Sequence, residues 1–389
     1  MLEKKYITKI IQMKGVNVTD VSDEGNILTI SLEMPRKEHT CPCCGRKTDR
    51  VHDYRIQRIK DINIGRETVI KYRKRRYVCS CGKRFYEQNS FVPRYYRVTN
   101  RLLADIIQEF RKTQSAKAIA RKSHLSIPTV LRYMDYVSYK RPELPEVLSI
   151  DEFKGNAGKQ KYQTILTDPQ RRKVLDILEN RYENTLIQYF RQYENRDTVK
   201  YFISDMNPHF REVARVCFPN AKIIADRYHV VRQSFWAMEN VRKREQKRLG
   251  QNYWKFFKKS RHLLNKSRDN LTEEETEKLI TMFDLAPRLA DAYRVHHEFL
   301  QVMKCRSKEE GKRKLVDWLV SVEVMDLPEF EACTKACHHW YEEILNSMEY
   351  PWTNGFTEGC NNRTKVLKRV CYGIQRFDRL RTRILHCTA

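Results

Sequence analysis

The chain has no long apolar run. Nowhere in its 389 residues does an uncharged hydrophobic stretch approach the roughly 20 residues that a helix needs to cross a bilayer. The opening MLEKKYITKI lacks the sustained apolar core of a secretory leader. A membrane or exported protein is therefore not expected, and the chain reads as soluble and cytoplasmic. Internal repeats and low-complexity tracts are also missing, which excludes solenoids and unfolded arrays. Acidic residues are outnumbered: 49 Asp and Glu stand against 75 Lys and Arg, for a net charge of +26. The excess is spread along the chain rather than gathered in a tail. A basic balance of this kind points to a polyanion, and nucleic acid is the usual one.

The chain does hold 12 cysteines. In a reducing compartment these do not suggest disulfides. Five of them fall in two tight groups, CPCCG at 41–45 and VCSCGKRF at 78–85. Cys41 and Cys44 have the C-x2-C spacing that lets two thiolates grip one tetrahedral ion from a single turn. Cys79 and Cys81 form a tighter C-x-C pair, and Cys43 is a spare thiolate. Two knuckles joined by β-ribbon predict a zinc ribbon over 36–90, following a β-prone lead over 1–35. Between the knuckles, ETVIKYRKRRYV has hairpin character. Its cations Lys71, Arg73, Lys74, Arg75 and Arg76 are candidates for DNA contact.

Residues 95–140 carry helical periodicity. SAKAIARKSHLSIPTVLRYMDYV reads as two short helices about a turn at His124–Leu125, with Ser126 as N-cap and Pro128 in the first turn. This is a helix-turn-helix pattern whose second helix would offer Thr129, Arg132 and Tyr133 to DNA; a plain helical hairpin is the other reading. After the linker YKRPELPE, strand and helix signals run β-β-β-α-β-α-β over 145–230. That order predicts an α/β class with an RNase H-like mixed sheet. An all-helical insertion follows over 231–350, with Thr272 and Glu275 spaced as a capping box. Residues 351–389 would return to the core.

In such a sheet the first and fourth strands lie side by side. Asp151 ends the first and Asp205 the fourth, and two converging carboxylates suit Mg²⁺ or Mn²⁺. Glu358, on the helix after the insertion, is the candidate third acid. Asn361, Asn362, Lys365 and Arg369 follow it near one helical stripe and would hold phosphates. The chemistry would be in-line displacement at a phosphodiester. Asp226, in Asp226-Arg227-Tyr228-His229, ends the fifth strand and reads as accessory, together with His229.

TNGFTEGCNNRTKVLKRVCYGIQRFDRLRTRIL at the C-terminus, with the order of ribbon, helix-turn-helix and SIDEF before it, resembles the ISL3-type transposases of bacterial insertion sequences. The resemblance implies a DDE recombinase with Asp151, Asp205 and Glu358 as its triad. It implies double-stranded DNA as partner, both terminal inverted repeats and target, and action as a dimer or larger assembly at the bacterial nucleoid. Related DDE transposases carry a (C/D)-x2-H motif after the fifth strand, which supports the accessory reading of Asp226; a triad drawn through Asp226 stays open. The chain departs from the family at Cys79-Ser80-Cys81, one residue short of the usual second knuckle. Two other functions remain: a non-catalytic DNA-binding regulator, and an RNase H-type nuclease that cuts without joining.

Overall fold

The computed structural model describes residues 4–388 except 12, 156 and 372. It divides into two compact units, Met1–Tyr139 with Val366–Thr388, and Lys140–Lys365.

The first unit opens with helix α1 (Lys4–Ile11) and strands β1 (Asn17–Glu24) and β2 (Ile27–Glu33). Two-residue strands β3 (His39–Thr40) and β4 (Lys47–Thr48) pair in the first cysteine knuckle. The long β5 (Val51–Asp61), β6 (Glu67–Val78) and short β7 (Arg84–Tyr86) follow. The main sheet runs β1-β2-β6-β5, with β7 also paired to β6. β1 and β2 are thus strands of this sheet rather than a separate lead. Alternation in ILTISLE buries Leu28, Ile30 and Leu32 on one face. Ile7 and Ile11 of α1 cover Leu28 and Ile30, while Ile59, Ile70 and Tyr72 pack with Leu32. ETVIKYRKRRYV is likewise one unbroken strand, β6. Its hairpin partner is β5, and the turn lies at 62–66, where Gly65 sits at φ 75°.

Helices α2 (Asn100–Glu109), α3 (Ala116–Lys122) and α4 (Ile127–Met134) come next. The Thr99 and Ser115 hydroxyls cap α2 and α3 by accepting from Leu102 N and Ala118 N. The turn between α3 and α4 passes through His124 at φ 51°. Ala116, Ile119 and Ala120 of α3 and Val130, Leu131 and Met134 of α4 are all buried, as the apolar spacing required.

The second unit begins with β8 (Val147–Lys154), β9 (Tyr162–Asp168) and β10 (Lys173–Leu178), then α5 (Glu183–Arg191), β11 (Tyr201–Ser204), α6 (Pro208–Cys217) and β12 (Lys222–Ala225). The sheet order is β10-β9-β8-β11-β12. The first three strands are antiparallel, and β11 is parallel to both β8 and β12. α5 and α6 cover one face: Leu186, Phe190, Phe210 and Val213 meet Leu148, Ile150, Leu166 and Phe202. On the other face Val147, Ile203 and Ile224 pack with Tyr350 and Trp352.

From here the chain is helical. α7 (Arg227–Leu249) starts directly after Asp226, four residues before the predicted insertion. α8 (Trp254–Lys258), α9 (Arg261–Leu264), α10 (Glu273–Leu285), α11 (Pro287–Val302), α12 (Lys308–Val324), α13 (Glu331–His339) and α14 (Tyr341–Glu349) complete it. Their core, including Val241, Phe257, Met282, Leu289, Phe299, Leu315 and Ile344, is continuous with Ala225 and Val230. The capping box at α10 forms: Thr272 Oγ1 accepts from Glu275 N at 3.2 Å and Glu275 Oε2 from Thr272 N at 2.9 Å. Among the described residues, no helix is long and apolar enough to cross a membrane.

α15 (Gly355–Val370) and α16 (Phe377–Thr388) close the chain, and the division between the units falls inside α15. The expectation that all of 351–389 rejoins the sheet is therefore corrected. α16 packs in the first unit because its inward side chains find partners there. Arg379 grips Asp135 through two bonds of 2.8 and 2.7 Å. Arg383, 1% exposed, donates to the carbonyls of Lys112 and Gln114, both at 2.8 Å. Arg383→Ala would strand these carbonyls and open a void. It should lower the first unit's stability by ~2–4 kcal/mol, read from the urea midpoint.

Candidate active site and zinc centre

The four cysteines Cys41, Cys44, Cys79 and Cys81 come together, each offering a sulfur within 4.8 Å of the others. Cys41 Sγ lies 3.7 Å from Cys81 Sγ, and Cys44 Sγ 3.5 Å from Cys79 Sγ. Tetrahedral zinc with ~2.3 Å bonds to sulfur asks for about 3.8 Å between sulfurs, so the set fits the ion. Cys43 is exposed and outside the group. The short C-x-C pair works because its backbone loop is also shorter. In the first knuckle Cys41 N donates to Arg46 O at 2.8 Å; in the second, Cys79 N donates to Lys83 O at 3.0 Å, one residue nearer. Gly45 and Gly82, at φ 71° and 81°, make the two reversals.

The cations predicted on β6 divide by strand alternation. Arg73 is exposed, with its guanidinium 3.8 Å from the Tyr54 ring centroid and an ion pair to Glu33. Lys74 and Arg76 flank Tyr86 at 5.5 and 5.7 Å, and Lys71 is half-buried. Arg75 points inward to the buried Glu87 and to Glu33, so it is occupied by carboxylates rather than open to phosphate. On α4, Arg132 is exposed and Thr129 half-buried. Tyr133 is 2% exposed and packs against Tyr96, which takes it off the outer face of the helix.

In the second unit, Asp151, Asp205 and Asp226 all lie at the same end of the sheet. β8 continues to Lys154, but its pairing with β11 ends at Ser149, so Asp151 stands where that ladder opens. Asp205 follows β11 and Asp226 follows β12, and the Asp226 amide donates to Ser204 O at 2.9 Å. Glu358 arrives on the first turns of α15. That helix is anchored beneath the site by buried hydroxyls: Thr357 Oγ1 is 2.7 Å from both Ser149 of β8 and Thr167 of β9. Asn354 N donates to Asp226 Oδ1 at 3.3 Å.

The electrostatics are those of crowded, partly desolvated carboxyls. Burial, then the charges of Glu152, Asp226 and Glu358, raises Asp151 to about 6. Burial, then Asp151, Glu152 and Asp226, raises Asp205 to about 7, with Arg232 opposing. Glu358 is also raised, by burial and by Asp226. Asp205 Oδ1 and Asp226 Oδ2 are buried with no hydrogen-bond partner. Orphaned anionic oxygens among like charges fit a hard divalent cation.

Asp226, His229 and Glu358 make the tightest group, within 4.8 Å. His229 Nε2 is 3.9 Å from Asp226 Oδ2 and 4.0 Å from Glu358 Oε1. Arg232 Nη2 lies 2.9 Å from His229 Nδ1. A guanidinium cannot accept, so Nδ1 accepts and the ring proton sits on Nε2, facing the carboxylates. Burial and Arg232 lower the His229 pKa, so the ring is neutral. In this tautomer His229 orients carboxylates and has no lone pair facing them for a metal. Of the residues on α15, Asn361 turns inward and donates to Asp151 Oδ2 at 2.8 Å. Asn362, Lys365 and Arg369 are exposed. Arg232 and Asn354 were not singled out from the sequence: Arg232 is one cation among many, three residues past His229, and the partners of Asn354, Asp226 and Ser149, lie 128 and 205 positions away.

Two family models match the chain. One, the ISL3 family model described as a transposase, covers residues 148–384, more than half of the chain. The other, the zinc-finger of transposases IS204, IS1001, IS1096 and IS1165, covers 37–82. The chain belongs to the ISL3 transposase family. It is 26% identical over 388 residues to the transposase for insertion sequence element IS1001 of Bordetella parapertussis, covering 96% of this chain and 95% of that protein. A shorter likeness, 24% over 140 residues, links it to the transposase for IS1557 of Mycobacterium tuberculosis; there it spans 36% of this chain and 31% of the relative. The zinc-finger match and the four-thiol geometry together support a structural zinc at the cluster of Cys41, Cys44, Cys79 and Cys81.

Two outcomes are expected of this ISL3 family member. Cys44→Ser should lose zinc and unfold the ribbon, while Cys43→Ser should keep one zinc per chain by elemental analysis. For Asp205 the folded carboxyl sits near 7 against 3.8 unfolded, so the folded state holds the extra proton and stability falls as pH rises through that window. Asp205→Asn should therefore raise the metal-free melting temperature at pH 8 by several degrees, and the gain should shrink as pH falls below 7 and vanish only below the unfolded value of 3.8.

Proposed function

We propose that this chain binds the terminal inverted repeats of an insertion sequence, cuts the DNA at its ends and joins the 3′-hydroxyls to a target. The observation that carries this is the gathering of acids from β8, from the ends of β11 and β12 and from α15 at one site, with buried oxygens left unpartnered. The strand order β10-β9-β8-β11-β12 supports reading this sheet as RNase H-like, and the family match supports the same reading.

Asp151, Asp205 and Glu358 would hold Mg²⁺ or Mn²⁺, which supplies an activated nucleophile and neutralises the leaving oxygen. Asn361 keeps Asp151 turned to the site through its amide. Neutral His229, held by Arg232, steadies Asp226 and Glu358 and keeps a proton on Nε2. Arg232 adds a positive charge beside a centre that must receive phosphate. Asn362 and Lys365 stand exposed on α15 for the DNA backbone, with Arg369 further along it. In the first unit, α3 and α4 would act as a helix-turn-helix, reading DNA with Thr129 and Arg132, while Arg73, Lys74 and Arg76 contact phosphate. Handling two element ends calls for two copies or more.

A second assignment, with Asp226 in place of Asp205, is favoured by the close Asp226–His229–Glu358 group. Cleavage and strand transfer on DNA carrying the element's ends, with Mg²⁺, separates them. Asp205→Ala should abolish activity, a fall of at least roughly a thousandfold, while Asp226→Ala leaves a measurable residue. The reverse order would move the ligand to Asp226. Specific binding without cutting by the wild-type protein would favour a regulator, and cutting without joining would favour a nuclease.

A further inference from the structure

The first unit contains an aromatic recess that the zinc site does not use and that borders the helix-turn-helix at Thr129 and Arg132. A cavity of about 700 Å³ lies between the β5–β6 end of the sheet and α4. A second, of about 590 Å³, opens onto the strip of Arg55, Lys74 and Tyr86. The two share Arg58, Tyr95, Tyr96 and Arg97, so they meet around one segment.

That segment is firmly placed. Lys60 N donates to Arg97 O at 2.9 Å and Thr99 N to Lys60 O at 3.0 Å, so it rides the free edge of β5. Tyr96 is wedged between Tyr133 and Tyr136, at ring distances of 5.6 and 5.7 Å, and its carbonyl accepts from Gln57. Tyr95, in contrast, is 89% exposed and held at φ 68°, a conformation that bulky L-residues rarely adopt. Its ring stands out from a supported backbone, with Arg94 4.8 Å from its centroid. Arg58, Arg97 and Arg132 line the recess and form no ion pair among the described residues.

We propose that this recess binds unpaired nucleotides, stacking a base on Tyr95 and holding the flanking phosphates with Arg58, Arg97 and Arg132. A duplex keeps its base faces stacked inside and offers only edges and phosphates. An exposed ring set among cations in a concave site is complementary to a base that has left the stack. The volume is that of a small-ligand site, ~300–1,000 Å³, rather than of a duplex groove. The inference rests on the DNA reading above and names a second, single-stranded mode of contact.

The test uses the full-length protein without divalent metal and fluorescence anisotropy on a labelled oligothymidylate and on a duplex. Tyr95→Gly removes the ring and relaxes the positive φ, so the fold is not put at risk. Tyr95→Phe keeps the stacking face. Tyr95→Gly should weaken the single strand by roughly tenfold and leave the duplex within about twofold, while Tyr95→Phe binds as wild type. Equal single-strand affinity for Tyr95→Gly and wild type overturns the proposal, as does an equal loss on duplex. Wild type that binds neither DNA sinks the broader DNA reading as well, and the cleavage assay would show that failure separately.

Discussion

Repulsion among buried carboxyls organises the second unit. Asp151 and Asp205 sit where water is thin and negative neighbours are close, so each holds its proton well above the usual carboxylate range. A chain seeking only stability would not place acids there. Their cost has to be borne by the surrounding packing: the apolar ladder of β8, β11 and β12, the two helices on one face and the aromatic cover on the other. The hydroxyl anchor of Thr357 between Ser149 and Thr167 serves the same end, because it fixes α15 and with it the last acid.

The same constraint explains the supporting residues. Arg232 lowers the local negative potential and, by donating to Nδ1, sets the His229 tautomer. Asn361 spends its amide on Asp151 rather than on solvent. The helical insertion contributes through α7, which starts at Asp226 and brings both His229 and Arg232 to the site within its first turns. The helical segment is therefore tied to the acid cluster at its root.

The first unit is ordered by a different device. Two knuckles, each a tight reversal closed by a backbone hydrogen bond and a glycine at positive φ, bring four thiols to the spacing of one ion. The sheet extends that core with β1 and β2, and α16 completes it from the far end of the chain. Although cations outnumber acids, several acids here hold cations in place: Glu87 on Arg75, Asp61 on Arg101, Asp135 on Arg379. Among the described residues Arg58, Arg97 and Arg132 have no carboxylate partner, and they stand exposed around Tyr95 and Tyr96.

Local pattern carried much of this. The cysteine spacing, the capping box at Thr272, the α3–α4 turn and the succession of strands and helices from Val147 to Ala225 are short-range signals, and each element formed close to where its periodicity put it. Asp205 and Asp226 were legible for the same reason, since they close the apolar runs of β11 and β12; Asp151, expected to end its strand, lies within β8, which runs on to Lys154. What the sequence could not decide is everything carried by contacts between distant positions. β2 pairs with β6 across the whole first knuckle; Arg75, one cation in a run of basic residues, is turned inward by Glu87; α16 leaves the sheet it was expected to join because Arg383 and Arg379 find their partners beside α2 and α4. Strand alternation and helix propensity are properties of neighbours in the chain. Which face is buried, and against what, depends on burial and charge pairing that exist only once the fold has closed.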